Sequence, residues 1–220
     1  MIQGIIFDVD GVLLDSMPIW MHIGEYYLKG KGIIPESNLG DILFEMSMEK
    51  GAKYLKDTYH LHESIDTIQI EINQLLIEFY EKSIPLKTGV FETLKSLHNR
   101  KIPMVIATSS DEDVIQKAFQ RLHIDSYFEK IFTCTQIKAG KDKPDIYIEA
   151  AYYIQKVFYN EDIDYKDIYV VEDALYALQT AKQAGFIVIG MYDEASHTDW
   201  NTVCEQADIH AYKLSEKLFQ

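Results

Sequence analysis

The chain has 220 residues, of which 47% are hydrophobic and 25% are charged, a composition typical of a globular protein with one or two domains. Lys and Arg number 21 against 35 Asp and Glu, so the formal net charge is −14 at pH 7. This acidity disfavours nucleic acid and anionic membranes as partners, and an anionic substrate would need cations close to its binding site.

Neither the N-terminus nor the cysteines suggest export. The first apolar stretch is interrupted by Asp8 and Asp10 and has no basic region before it, which predicts neither a signal peptide nor a membrane span. Cys134 and Cys204 lack C-x-x-C spacing and are predicted to be reduced thiols. A cytoplasmic location is therefore expected.

The first predicted element is a β-strand buried on both faces, because residues 2–7 are almost entirely apolar. Asp8 and Asp10 follow it and alternate around Val9, so both carboxylates leave the same side of the strand before Gly11 allows a turn. Two like charges at one strand end favour a cation between them, and oxygen ligands favour Mg²⁺. Taken alone, the same D-x-D-G pattern is equally compatible with a solvated turn.

A helical region follows and contains no strand pattern. Apolar residues recur at helical spacing in three stretches of residues 16–85, which predicts an all-helical domain inserted after the first strand. Two connections join it to the rest of the chain and can act as a hinge. The predicted helices are Met17–Leu28, Leu39–Thr58 and the stretch from Ile65 to Phe79, and the connections are Gly11–Pro18 and Ser83–Gly89.

Strand and helix patterns alternate over residues 90–212, which predicts a parallel sheet covered by helices on both faces. The predicted fold class is therefore α/β, with a Rossmann-like core formed by residues 1–15 and 86–220. Ser110 and Asp113 are a plausible capping pair for one helix, and Gly185 is expected to end another. The predicted strands are Ile102–Thr108, Ile131–Cys134, Ile168–Glu172, Phe186–Met191 and Ile209–Tyr212.

Polar residues follow several of these strands, at the edge where open α/β sheets bind ligands. Each group alone has an ordinary structural explanation, such as helix capping by hydroxyls or acids at a helix N-terminus. Their occurrence at successive strand exits instead indicates one site of carboxylates, hydroxyls and an ammonium. The residues are Asp8, Asp10, Thr108, Ser109, Lys141, Glu172 and Asp173.

This ordered set resembles the haloacid dehalogenase-like hydrolase superfamily, in particular its β-phosphoglucomutase-like and phosphoglycolate-phosphatase-like branch with a helical cap. The resemblance covers nearly the whole chain. Alignment on Pro144-Asp145 matches the functional lysine of the family to Lys141 and leaves Lys143 in a variable position. The segments that carry the resemblance are residues 8–16, 106–110, 140–147 and 170–173.

The resemblance implies phosphoryl transfer. Asp8 would attack phosphorus and form an aspartyl-phosphate, and Asp10 would protonate the leaving alcohol and later activate water. Thr108 Oγ and the amide of Ser109 would hold the phosphoryl oxygens, and Lys141 would neutralise charge beside Asp8. The substrate would be a small phosphorylated metabolite.

The resemblance also implies a Mg²⁺ site. The carboxylates of Asp8 and Asp173 and the backbone carbonyl of Asp10 would hold the ion, with Glu172 as a further contributor. The chain departs from the family pattern directly after Glu172 and Asp173, because Ala174 stands where the family often has Ser or Thr. Ala177 likewise stands where the family often has Gly, which leaves a close helix contact in question. The helical insert would form the cap that closes over the substrate.

Four functions compete. A Mg²⁺-dependent phosphatase is favoured over a sugar-phosphate mutase, a true dehalogenase and a catalytically idle binding protein. Dehalogenases of this type lack the second acid, which is present here as Asp10. The resembling mutases have a cap His at the position of Trp20 and a phosphate-binding Arg near Met48. An indole cannot take a proton from a sugar hydroxyl, and a thioether cannot pair with phosphate.

Overall fold

The computed structural model describes residues 2–44, 46–159 and 162–220. The chain divides into two compact units. One contains the residues up to Asp15 together with Pro85–Gln220, and the other is Ser16–Ile84. Among the described residues, no helix has the length and apolar character needed to cross a membrane.

The smaller unit is helical and packs around its own apolar core. Where the sequence predicts one helix over Leu39–Thr58, there are two, and Ser47 begins the second by accepting a hydrogen bond from the amide of Lys50. A hydroxyl at this position satisfies an amide that the first helical turn leaves unpaired. The helices are α1 (Met17–Gly30), α2 (Leu39–Phe44), α3 (Met48–Tyr59) and α4 (Ile65–Lys82). Their core residues include Ile23, Tyr27, Leu28, Leu55, Ile68, Ile72 and Leu76.

The larger unit is built on a six-stranded, wholly parallel sheet in the order β3-β2-β1-β4-β5-β6. The predicted α/β class with a parallel sheet and a helical insert is confirmed. The short β1 lies between β2 and β4, and each of its residues is buried. The strands are β1 (Gly4–Phe7), β2 (Met104–Thr108), β3 (Ile131–Thr133), β4 (Ile168–Glu172), β5 (Ile187–Met191) and β6 (Ile209–Ala211).

Helices cover this sheet and fix the central strand. Ile154, the last residue of the helix Asp145–Ile154, packs so closely on Gly4 that a side chain at Gly4 would collide with it. Gly185 has φ +100° just after the helix Leu175–Gln183, which confirms its predicted role in ending that helix. The helices are α5 (Val90–Asn99), α6 (Glu112–Leu122), α7 (Cys134–Ile137), α8 (Asp145–Ile154), α9 (Leu175–Gln183) and α10 (Trp200–Gln206).

The chain order creates a switch point at β1. The chain moves outward from β1 through β2 to β3, then returns to β4 on the other side and continues to β6. The connections after β1 and β4 therefore diverge, and a crevice opens at the carboxyl ends of the central strands. This topology determines where the polar residues predicted above meet.

Candidate active site

The carboxyl edge of the sheet brings together residues that are far apart in the sequence. Asp8 and Asp10 follow β1, Thr108 ends β2, and Glu172 ends β4. The loop between α7 and α8 adds Lys141, whose ammonium reaches both β1 and β4. Parallel pairing of Phe7 with Val171 aligns the two acidic strand ends.

Lys141 is the centre of a buried hydrogen-bond network. Its side chain is only 4% exposed, and Nζ donates to Oδ1 of Asp8 and to Oε1 of Glu172, the latter at 2.7 Å. The hydroxyl of Tyr147 donates to the same Glu172 oxygen at 2.7 Å. Lys143, two residues further on, is exposed. The fold thus selects Lys141 as the ammonium that meets the carboxylates, while Lys143 faces water.

Three carboxylates are concentrated beside this ammonium. One oxygen from each of Asp8, Glu172 and Asp173 lies within 4.8 Å of the others, and all three residues are buried. Burial and the neighbouring acids raise the pKa of Asp8 well above its usual value, although Lys141 acts in the opposite direction. Burial and Glu172 likewise raise the pKa of Asp173 to about 7. The carboxylates of Asp8 and Glu172 outweigh burial and raise the pKa of Lys141, so it remains an ammonium.

The donor set suits a hard divalent cation. When all three acids are ionised, three carboxylates against one ammonium leave a formal charge of −2 in a buried space, which a divalent ion would neutralise. Carboxylate oxygens are the ligands that Mg²⁺ prefers. Gly11 supports this arrangement, because it has φ +79° and any Cβ there would collide with the carboxylate of Asp173. Asp8, Glu172 and Asp173 therefore fit a Mg²⁺ site.

Asp10 is oriented from the neighbouring strand. The Ser110 hydroxyl donates to Oδ2 of Asp10 at 2.7 Å, and the Ser110 amide donates to Oγ1 of Thr108 at 3.0 Å. The prediction that Ser110 caps α6 is therefore wrong, since Asp111 is the residue at that cap. The Ser110 hydroxyl instead donates to a carboxylate 100 residues away in the sequence.

Thr108 and Ser109 present hydroxyl groups in two environments. Thr108 is fully buried, and since its Oγ1 accepts the Ser110 amide, its own proton can still be donated. Ser109 is exposed, and its Oγ lies 3.4 Å from Sγ of Cys134. Cys134 and Cys204 are both free thiols, as predicted.

Sequence reasoning missed three residues of this region. Tyr147 falls inside the segment that resembles the family, in the first turn of the helix after Lys141, but the sequence gives no sign that its hydroxyl would meet Glu172. Lys87 and Asp193 form a partly buried ion pair beside the turn at Gly11. Nothing in the local pattern predicts that pair, because 106 positions separate its members.

Trp20 and Lys53, two polar side chains of the helical unit, bind partners within that unit. The indole of Trp20 donates to the hydroxyl of Tyr80 at 2.8 Å. Met48 packs against the apolar core, and Lys53 pairs with Asp57 at 2.7 Å. The positions at which the resembling mutases have a His and an Arg therefore carry side chains with neither function.

The chain is similar to known proteins over most of its length. The β-phosphoglucomutase of Bacillus subtilis is 28% identical over 202 residues, 86% of this chain and 83% of that protein. A phosphorylated carbohydrates phosphatase of Thermotoga maritima is 22% identical over 183 residues, 83% of this chain and 82% of that protein. The crystal structure of CbbY from Rhodobacter sphaeroides in complex with phosphate has a TM-score of 0.72 at 19% identity and covers 97% of this chain and 95% of that one.

The family model of haloacid dehalogenase-like hydrolases matches residues 5–191, which include every candidate site residue. The match confirms both the resemblance seen in the sequence and the prediction that the chain is an enzyme. The chain belongs to the haloacid dehalogenase-like hydrolase family.

Proposed function

We propose that the protein is a Mg²⁺-dependent phosphatase that hydrolyses a small phosphomonoester through an aspartyl-phosphate on Asp8. The observation that carries the proposal is the buried contact of Asp8 with Lys141, next to two further carboxylates. A carboxylate held in this way is oriented for attack, and the surrounding acids make a site for a divalent ion.

Asp8 is the proposed nucleophile. Lys141 engages Oδ1 of Asp8, so the carboxylate has a fixed orientation and its other oxygen can approach phosphorus. In the first step a bond forms between this oxygen and phosphorus while the bond from phosphorus to the leaving alcohol breaks. Lys141 also offsets the negative charge that accumulates as the two anionic groups meet.

Asp10 is the proposed general acid and base. It gives its proton to the departing alcohol, and then accepts a proton from the water that attacks the aspartyl-phosphate. This second step releases inorganic phosphate and restores the carboxylate of Asp8. The hydrogen bond from Ser110 to Oδ2 of Asp10 holds the side chain for both transfers. Thr108 and the amide of Ser109 are proposed to bind the phosphoryl oxygens.

Mg²⁺ is the proposed cofactor. The carboxylates of Asp8 and Asp173 and the backbone carbonyl of Asp10 would hold it, and it would neutralise the charge of the phosphoryl group. Glu172 is a contributor whose Oε1 already accepts hydrogen bonds from Lys141 and Tyr147. Its main proposed role is therefore to hold the ammonium of Lys141.

The proposed substrate is a small phosphorylated metabolite of the carbohydrate class, since relatives named for phosphorylated carbohydrates and phosphoglucose cover most of the chain.

Residues 16–85 are proposed to be the cap domain, and residues 1–15 and 86–220 the catalytic domain. Neither nucleic acid nor membrane is a proposed partner, because the net charge is −14. The proposed location is the cytoplasm, where two free thiols stay reduced.

Hydrolysis is favoured over mutase activity by the helical unit. A mutase must release a bisphosphate, turn it and rebind it, so it needs a cationic site besides the metal site. Trp20 donates its only polar proton to Tyr80, and Met48 packs in the apolar core. Neither can grip a second phosphate.

The first test is the substitution Asp8→Asn. An amide is a poor nucleophile and a weak metal ligand, so hydrolysis of p-nitrophenyl phosphate should fall to the background rate while the circular dichroism spectrum is unchanged. The exposed Asp125 offers a matched control, and Asp125→Asn should retain wild-type turnover. Turnover by highly purified Asp8→Asn would overturn the assignment of the nucleophile.

Mg²⁺ binding should strengthen with pH. Because the pKa of Asp173 is raised to about 7, its carboxyl is mostly protonated at pH 6 and must lose this proton to bind the ion. One displaced proton of this pKa corresponds to about a tenfold tighter dissociation constant at pH 8 than at pH 6, measurable by calorimetry. Asp173→Asn should weaken this pH dependence, and Asp8, whose pKa is also raised, should account for what is left. Hydrolysis should stop in excess EDTA and be inhibited by Ca²⁺, and full activity with EDTA would refute the metal requirement.

The two neighbouring lysines should differ in effect. Lys141→Ala removes the buried partner of Asp8 and should lower kcat by about 10²–10³-fold in phosphate-release assays. Lys143→Ala changes an exposed side chain and should leave kcat nearly unchanged. The reverse order of effects would show that Lys143 is the functional ammonium.

A coupled assay separates hydrolysis from mutase activity. With β-glucose 1-phosphate as substrate, we expect phosphate release or no reaction, and no appreciable NADPH from added glucose 6-phosphate dehydrogenase. The physical reason is that Trp20 and Met48, which stand where the resembling mutases have a His and an Arg, carry no positive charge. Rapid NADPH production stimulated by glucose 1,6-bisphosphate would instead establish the mutase.

A further inference from the structure

A second lysine, half-buried and outside the set that sequence reasoning selected, borders the candidate active site. Lys87 Nζ donates to the backbone carbonyl of Gly11 at 2.7 Å and to that of Tyr192 at 2.9 Å. It also donates to Oδ2 of Asp193 at 2.7 Å. An ammonium has three protons, and these three acceptors use all of them.

The ion pair is enclosed and well supported. The side chains of Lys87 and Asp193 are 17% and 6% exposed, so water screens the pair only weakly. The other carboxylate oxygen of Asp193 accepts a hydrogen bond from the amide of Ala195 at 2.9 Å, which fixes the acid two residues after β5. The ammonium is thus held from β5 and directed at the turn that follows β1.

That turn is where the proposed metal ligands meet. Gly11 follows Asp10, has φ +79°, and donates its amide to the carbonyl of Leu14 at 3.1 Å. The carboxylate of Asp173 occupies the space that a side chain at Gly11 would need. The Gly11 backbone therefore has Asp173 on one side and its carbonyl bound by Lys87.

We infer that Lys87 and Asp193 are positioning residues that hold the Asp10–Gly11 turn, so that the backbone carbonyl of Asp10 and the carboxylate of Asp173 are arranged to bind the metal. We call the contacts of Lys87 and Asp193 with this turn the clamp. Its effect on metal binding rests on the proposed function, whereas its effect on the turn does not. The two residues act through Gly11 and do not touch the reacting atoms.

The segment that contains Lys87 is held without its side chain. The amide of Lys87 donates to the carbonyl of Leu13 at 2.9 Å, and the amide of Asp15 donates to the carbonyl of Pro85 at 3.0 Å. An antiparallel bridge between Leu14 and Leu86 lies between these bonds. Since the backbone already joins the two segments, the ammonium is left to bind the turn and Asp193.

The test compares Lys87→Met with a matched lysine. Lys182 also bonds a carbonyl, that of Gln206 at 2.6 Å, and a carboxylate, that of Asp208 at 2.9 Å, but it lies on α9 and is more exposed. Lys182→Met is therefore the control for loss of a lysine ion pair. Amide hydrogen exchange of residues 11–14 in the metal-free protein and calorimetric Mg²⁺ binding are measured for both variants and for wild type.

We expect Lys87→Met to speed exchange in the turn and to raise the Mg²⁺ dissociation constant about 10–100-fold. At saturating Mg²⁺ the KM for p-nitrophenyl phosphate should change little, and Lys87→Arg should restore part of the Mg²⁺ affinity. Lys182→Met should match wild type in all these measurements. Asp193→Asn, which retains an acceptor for Ala195, should shift both readouts in the same direction as Lys87→Met and serves if that variant does not fold.

Unchanged exchange in the turn and a Mg²⁺ dissociation constant within about twofold of wild type would overturn the clamp. Wild-type protein that binds no Mg²⁺ would refute the proposed cofactor instead, and the clamp would then be judged on hydrogen exchange alone. The two failures are therefore distinguishable.

Discussion

The burial of Lys141 against Asp8 and Glu172 is the interaction on which the rest of the site depends. An isolated ammonium would be very costly to bury, and so would the acids without it. Together they form a group that is stable enough to occupy the interior and still carries an excess of negative charge. This excess suits the divalent ion proposed for the site, and it exists only because the sheet brings the acids together.

The parallel sheet supplies that concentration of charge. β1 occupies the centre, and its neighbours β2 and β4 end at the same edge, so side chains from residues 8, 108 and 172 converge without long loops. The rigid strands hold these groups in place before any ligand arrives. Preorganised polar groups of this kind stabilise developing charge at little reorganisation cost.

Two lysines hold different parts of the site in place. Lys141 binds the carboxylate side of the site, while Lys87 binds the backbone turn on its other side and is itself balanced by Asp193. Both come from connecting segments rather than from the strands that carry the acids. The strands thus determine where negative charge accumulates, and the connections add the cations that make this accumulation tolerable.

The sequence by itself determined the α/β class, the helical insert and the identity of the strand-end acids, because these depend on local periodicity and on chain order. It also indicated Lys141 over Lys143, although only through resemblance to a family. Only the tertiary structure decided three hydrogen bonds. The Ser110 hydroxyl donates to Asp10 and does not cap a helix, the Tyr147 hydroxyl donates to Glu172, and the Lys87 ammonium donates to the carbonyl of Gly11. These contacts join residues from 25 to 100 positions apart. Local sequence patterns cannot predict them, because the packing of the whole chain determines which groups come close enough to bond.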